Sequence, residues 1–350
     1  MFLKADSSMD CILHIGTEKT GSTAIQHFLH NNWAQFKAQG THICRSVGEP
    51  NNRGLPAAFM SEEKSDDFLR RMKHENIKGR RRWRKRLLKD FLKEVSQAKV
   101  KSNTFLISSE HFQSKLKSLD EVRNLHTFLQ PLFRSVTVIC YLRRQDQLAI
   151  SRYSEVLRAG HVLRSPLPAM DKKQRGNLPL YFDFEALLDR WSDAFGEDNI
   201  EPHVYSKKDM LDGDVIHDFV RAVGLQLPES RGPKSGNSNM ALSAEAQTVL
   251  LGVNKTLREL GRREPERLFR ARLVRYLQIH SPGKSCQPTA SEAMEFYSVF
   301  EPSNNAVAKR WFNRERLFEA DFSEYEERTT SVSAERVAEI MAGFLLTEIQ

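Results

Sequence analysis

Short apolar runs alternate with helical periodicities over the first two-thirds of the chain. Cys11 to Ile15 is a brief apolar stretch, followed by Gly16-Thr-Glu-Lys-Thr-Gly21, which is loop chemistry. From Ser22 or Thr23 onward, Ile25, Phe28, Leu29 and Trp33 recur on one face of a helix. Gly40 to Cys44 reads as a second short strand, and the polar residues 46–66, with their Pro, Gly and Asn, as a loop or insertion. Trp83, Leu87, Leu88, Phe91, Leu92 and Val95 then return at helical spacing, which predicts an amphipathic helix over Arg80 to Ser96. Two stronger strand signals follow. Thr104 to Ser108 runs into Ser109, Glu110 and His111, and Val136 to Leu142 is a continuous, β-branched run of the kind buried on both faces of a parallel sheet. The latter ends in Arg143 and Arg144, and a helix carrying Leu148, Ile150, Tyr153 and Leu157 begins at once. Phe184 to Phe195 reads as a helix stopped by Gly196, and His203 to Tyr205 as a last strand.

Strands alternating with helices predict an α/β fold, a parallel sheet flanked by helices. From about residue 240 the pattern is mostly helical. The expected organisation is one domain over 1–350, with a helical subregion at about 240–350 and a basic helical insertion at about 68–101.

Composition changes the picture in two places. With 350 residues, 40% hydrophobic and 28% charged, the chain is long enough and apolar enough for a sizeable core. No run approaches the length of a membrane-spanning helix, and the apolar stretch near the N-terminus is too short for a signal peptide. Cys11, Cys44, Cys140 and Cys286 form no C-x-x-C pair, and the two that lie inside apolar runs read as small core residues of a reducing, cytoplasmic compartment. The charge is concentrated. Arg70 to Lys101 holds fourteen Lys or Arg against three acids, a local +11 that exceeds the +8 of the whole chain. The rest of the protein is therefore net acidic.

In an open parallel sheet, ligands gather at the carboxyl ends of the strands. After the first strand, Gly16 to Thr23 combines glycines for a tight turn, a lysine, hydroxyls and the start of a helix, which is phosphate-loop chemistry. It departs from the nucleotide-triphosphatase pattern, because Lys19 precedes Gly21 by two positions instead of following the glycine. After the Val136 strand, Arg143 and Ser151 can clamp a second phosphate from a strand end and the following helix. The plain alternative for the Arg143–Arg144 pair is a solvated charge run. No carboxylate cluster suited to magnesium is visible.

Together these residues resemble the PAPS-dependent sulfotransferases. Gly16–Thr23 resembles their 5′-phosphosulfate loop, and Arg143 to Ser151 their 3′-phosphate motif at matching spacing. Tyr181 to Phe184, Leu188, Trp191, Phe195 and Tyr205 resemble bacterial members, as do Asn239 to Ser243, Ser303-Asn304, Arg310 to Phe312 and Leu317-Phe318. The resemblance covers roughly residues 11 to 320. It implies an α/β fold related to nucleotide kinases and PAPS as co-substrate, with no metal. It implies that Lys19, Thr20, Gly21, Ser22 and Thr23 hold the 5′ end, that Arg143 and Ser151 hold the 3′-phosphate, and that Tyr205 lies near the adenine. Lys19 would also stabilise charge on the leaving oxygen. The base that takes the acceptor's proton is Glu110 or His111, the latter with an unperturbed pKa near working pH. The acceptor is a carbohydrate hydroxyl, or second an amine. The basic segment suits an acidic polysaccharide, or else compensates the acidic Glu62 to Asp67 stretch. Nucleic acid is disfavoured, because Trp83 and Phe91 fall on the apolar stripe. Rival readings are an ATP-dependent kinase and a non-catalytic polyanion-binding module.

Overall fold

The computed structural model describes residues 8–73, 76–169, 178–227, 242–261, 266–327 and 331–349. Five strands, β1 (Asp10–His14), β2 (Thr41–Ile43), β3 (Thr104–Ser108), β4 (Val136–Leu142) and β5 (Ile200–Val204), form one sheet. Its order is β2-β3-β1-β4-β5 and every pairing is parallel. The chain leaves β1 for the β2 edge, returns through β3, and crosses to β4 and β5 on the other side. β1 is thus the strand at which the winding reverses, and the crevice beyond its carboxyl end is where such sheets take ligands.

Helices cover both faces. Side chains alternate along a strand, and in β3 Leu106 packs with Ile25, Phe28, Leu29, Phe36 and Phe219. Its neighbour Phe105 instead meets Phe91 and Phe133. The α/β class is the one expected, and β3, β4 and the helix Phe184–Phe195 occupy the residues the pattern indicated.

Residues 46–66 depart from the expected loop. Gly54–Phe59 is a helix with every residue buried, and Asn52 anchors the turn before it by donating to the carbonyls of Cys44 and Gly48. The turn-forming residues are real. The apolar run between them is simply too short to show a period.

The basic helix extends over Ile77–Ala98. Its inner face buries Arg80, Phe91, Val95 and Ala98, whereas Leu92 is exposed. Arg80 belongs to the core side: its guanidinium donates to the carbonyls of Ala57, Met60, Glu62 and Lys64. These include the carbonyls that a short helix leaves unpaired at its end. Glu94 ties the same helix to the sheet edge, accepting from His42 Nε2 (2.8 Å), Arg45 N (2.9 Å) and Ser46 N (2.9 Å).

The chain divides into two compact units, the second comprising 144–176, 237–305 and 318–350. All regular structure described in that second unit is helical. Its core joins Tyr153 and Leu157 to Leu242, Ala246, Val249, Leu250, Leu273, Leu277, Ile340 and Phe344. Arg144 is buried there in a bidentate pair with Asp146 (2.8 and 2.9 Å), which also accepts from Tyr325 Oη. Arg144 is therefore not a solvated charge. Residues 239–241 of the Asn239–Ser243 stretch lie outside the described residues. Among the described residues, no helix is long and apolar enough to cross a membrane.

Burial pushes the Glu94 carboxyl up, but the hydrogen bonds from His42, Ser46 and Arg45 outweigh it and leave its pKa below the usual value. Its stabilisation is therefore present above the unfolded carboxyl pKa and is lost as pH falls through the lower, folded value. Glu94→Ala should cost about 2–3 kcal/mol in denaturant unfolding at pH 7, because two amides and an imidazole lose their acceptor. The deficit should shrink in acid. A variant as stable as the wild type would contradict the tie.

Candidate active site

The first loop is built on main-chain pairing. Ile15 N donates to Ile139 O, Tyr141 N to Gly16 O (2.6 Å) and Thr17 N to Tyr141 O (3.2 Å). The Thr17 hydroxyl adds a second bond to Tyr141 O (2.9 Å). The chain then turns through Lys19 (φ 65°) and Gly21 (φ 78°), and helix Ser22–Asn31 starts directly on Gly21. A left-handed backbone at a lysine is uncommon and marks a site that its surroundings enforce. Here Arg143 Nη1 donates to Lys19 O (3.0 Å).

No side chain caps the helix Ser22–Asn31. Its first amides and the positive end of its dipole thus face the loop without a side-chain acceptor, which favours an anion. Ser22 is buried and Thr23 exposed. Thr20 has no exposed surface and its hydroxyl donates to Thr17 O (2.7 Å). Its side chain braces the loop, and what it can offer a ligand is its backbone.

The other strand ends close on this loop. A Cβ on Gly16 would lie 2.9 Å from Glu110 Cα, and one on Gly21 would lie 2.8 Å from Val215 Cγ1 and 3.4 Å from Tyr205 Cε2. The Arg143 guanidinium stacks over the Tyr205 ring at 5.5 Å. Lys19, Thr20, Gly21, Ser22, Thr23, Glu110, His111, Arg143 and Tyr205 therefore all belong to the α/β unit and follow the ends of β1, β3, β4 and β5. Ser151 is the exception. It is half-buried on helix Gln145–Arg158, which falls in the second unit.

Glu110 accepts a 2.6 Å hydrogen bond from Gln26 Nε2, and His111 Nε2 stands 3.4 Å from its other oxygen. His111 does not keep the near-neutral pKa expected of it. Burial lowers it, and the Arg53, Lys115 and Arg71 charges lower it further, to about 3. Beneath the loop, His14 is likewise held neutral, pushed down to about 3 by burial and by His203. Its Nδ1 bonds Ser108 Oγ (2.8 Å).

One contact beside the loop has no local sequence signal, and another comes from a residue that the resemblance includes. Gln26 sits on the apolar face of its helix, and that misplaced polarity is the only sign of its role. Tyr181 Oη donates to Glu18 Oε2 (2.9 Å), holding the carboxylate that precedes Lys19.

No protein-family profile matches the chain. An uncharacterized protein of Archaeoglobus fulgidus is 28% identical to it over 225 residues, 63% of this chain. The match spans only 57% of that relative's own length. Among solved structures, a sulfotransferase from Alicyclobacillus acidocaldarius is similar over 74% of this chain and 98% of that chain, at a TM-score of 0.40 and 13% identity. A likeness that distant assigns no function.

Gly21→Ala should lower stability by about 2 kcal/mol, from the left-handed backbone and the Val215 overlap together. Thermal and urea unfolding will measure it. An unchanged midpoint would mean that the turn is not held as described.

Proposed function

We propose that the protein is a sulfotransferase that moves a sulfuryl group from PAPS to a hydroxyl of a carbohydrate. The observation that carries this reading is one crevice edge bearing an uncapped helix N-terminus, the Lys19–Gly21 turn, Arg143 stacked on Tyr205, and Glu110 against Gly16. The donor has anionic groups at both ends, and the set supplies cationic and amide donors for them. Lys19, Gly21 and the amides of Ser22 and Thr23 suit the 5′-phosphosulfate. Arg143 suits the 3′-phosphate, and Tyr205 suits the base.

In the proposed reaction the acceptor oxygen bonds to sulfur as the bond from sulfur to the 5′-phosphate oxygen breaks. The electron pair leaves on that oxygen, giving adenosine 3′,5′-bisphosphate. Lys19 and the helix N-terminus stabilise the charge that builds there. The hydroxyl proton passes to Glu110, whose carboxylate Gln26 orients. His111 is the poorer base, because an imidazole whose pKa is about 3 holds a proton too weakly to drive the transfer.

Calorimetry should find adenosine 3′,5′-bisphosphate bound about ten- to a hundredfold more tightly than AMP, the worth of charge-assisted bonds to one phosphate. Equal affinity would remove the Arg143 clamp. Lys19→Ala and Arg143→Ala should each lower turnover at least about 100-fold with the fold intact, and wild-type turnover in both would sink the assignment.

Glu110→Gln should lose about 10²–10⁴ in rate whereas His111→Gln keeps most of it. With His111 neutral down to about pH 3, the wild-type rate profile should show no step near pH 6.5 from this residue. The reverse ranking of the two variants would make His111 the base.

A further inference from the structure

We propose that the outer face of helix Ile77–Ala98 is the landing surface for a polyanionic acceptor, an acidic polysaccharide bearing carboxylate or sulfate groups. This rests on the sulfotransferase reading, because it gives that reaction its acceptor class. At 100° per residue, Lys78, Arg82, Lys85, Arg86, Lys89 and Lys93 fall within one stripe, opposite the buried Arg80, Phe91, Val95 and Ala98. All six are exposed. The stripe is about 22 Å long at the rise of an α-helix.

Compensation of the acidic Glu62–Asp67 stretch does not use these residues. Glu62 pairs with Arg81, Asp66 with Arg53, Asp67 with Arg71 and Arg53, and the carbonyls of Glu62 and Lys64 with Arg80. Among the described residues, no carboxylate stands within ion-pair distance of Arg82, Lys85, Arg86, Lys89 or Lys93. A row of like charges held on one rigid face repels itself, and a polyanion relieves that repulsion along its whole length.

The stripe also connects to the site. Trp83 of the same helix packs on Phe68 (6.1 Å), and Arg53 lies over Phe68 (5.4 Å). Arg53 and Arg71 are near enough to His111 to lower its proton affinity, and His111 adjoins Glu110. The helix of the stripe thus packs beside the segment that carries Arg53, whose charge is balanced by Asp66 and which lies near His111.

The chemistry of the face favours a polysaccharide. An interfacial membrane helix must bury its apolar side in lipid, and here that side is spent on Phe105 and Phe128. A groove for single-stranded nucleic acid stacks bases on exposed rings, and Trp83 faces Phe68.

The test compares the wild type with Arg82→Gln/Lys85→Gln/Lys89→Gln/Lys93→Gln against heparin, dextran, a 20-base-pair DNA duplex and vesicles of anionic phospholipid. The wild type should bind heparin at least tenfold more tightly than any other probe. The quadruple variant should lose at least tenfold of that affinity, and its log affinity should depend less steeply on log salt by about three. It should keep wild-type melting and affinity for adenosine 3′,5′-bisphosphate. Heparin bound no better than dextran, or tighter binding to DNA or vesicles, overturns the proposal, as does a variant that loses nothing. A wild type that binds heparin but not the nucleotide would leave this surface standing and remove the sulfotransferase reading instead.

Discussion

The carbonyl of Tyr141 receives both the amide and the hydroxyl of Thr17, while the Tyr141 amide donates to Gly16. These three bonds carry β1 past its last regular residue and splice the loop onto β4. Because the loop is held at its base, it has to turn within four residues to reach Gly21, and Lys19 takes the left-handed conformation that allows it. The Lys19 carbonyl then meets Arg143 two residues beyond Tyr141. Tyr141 is fixed from the other side as well. Its hydroxyl donates to the buried Asp218, which also accepts from Leu211 N and Arg221. Asp218 lies on helix Val215–Ala222, and Val215 of that helix is what a side chain at Gly21 would strike. The loop, two strands and a helix on the same face thus constrain one another through a single tyrosine.

Such a circuit is only partly written in local pattern. β3 and β4 form where the continuous apolar, β-branched runs indicated, since both faces of these strands are buried. Helix Phe184–Phe195 ends at Gly196, as the periodicity and the glycine together implied. The Gly16–Gly21 loop is legible because its two glycines mark a tight turn between an apolar run and a helical period, and both take positive φ. The bond between Gln26 and Glu110 spans 84 residues and has no local signature. Arg80 shows the opposite failure. It sits within a run of cations and reads as one more surface charge, yet it is buried because four carbonyls from residues 57–64 need a donor. His111 was misjudged for the same reason. A pKa depends on surroundings, and burial holds this one down together with Arg53, which comes from the segment that reads as a loop.

The floor under the loop matters as much as its rim. His14, the last residue of β1, is fully buried and neutral, and its partner Ser108 is held in turn by the Asn52 side chain. A protonated imidazole there would add positive charge inside the sheet, away from any ligand. With His14 neutral, the positive potential at the strand ends comes from Lys19, Arg143 and the uncapped amides, all at the carboxyl edge. Charges that border a low-dielectric floor are screened less than charges in open water. The attraction for an anion is therefore concentrated at the rim.

Gly16 sets the remaining distance. At φ 101° and with Glu110 Cα 2.9 Å from where a Cβ would stand, no other residue can occupy the position without moving β3's end from β1's. That close approach brings a carboxylate beside an anion-attracting loop, where it would compete with a bound anion for the same positive end. It persists because the carboxylate is tied back by Gln26 from the helix that the loop itself begins. Glu18 meets the same problem on the other flank and is tied back by Tyr181. Each of the two acids bordering the loop thus accepts from a neutral donor, which fixes the orientation of its carboxyl group.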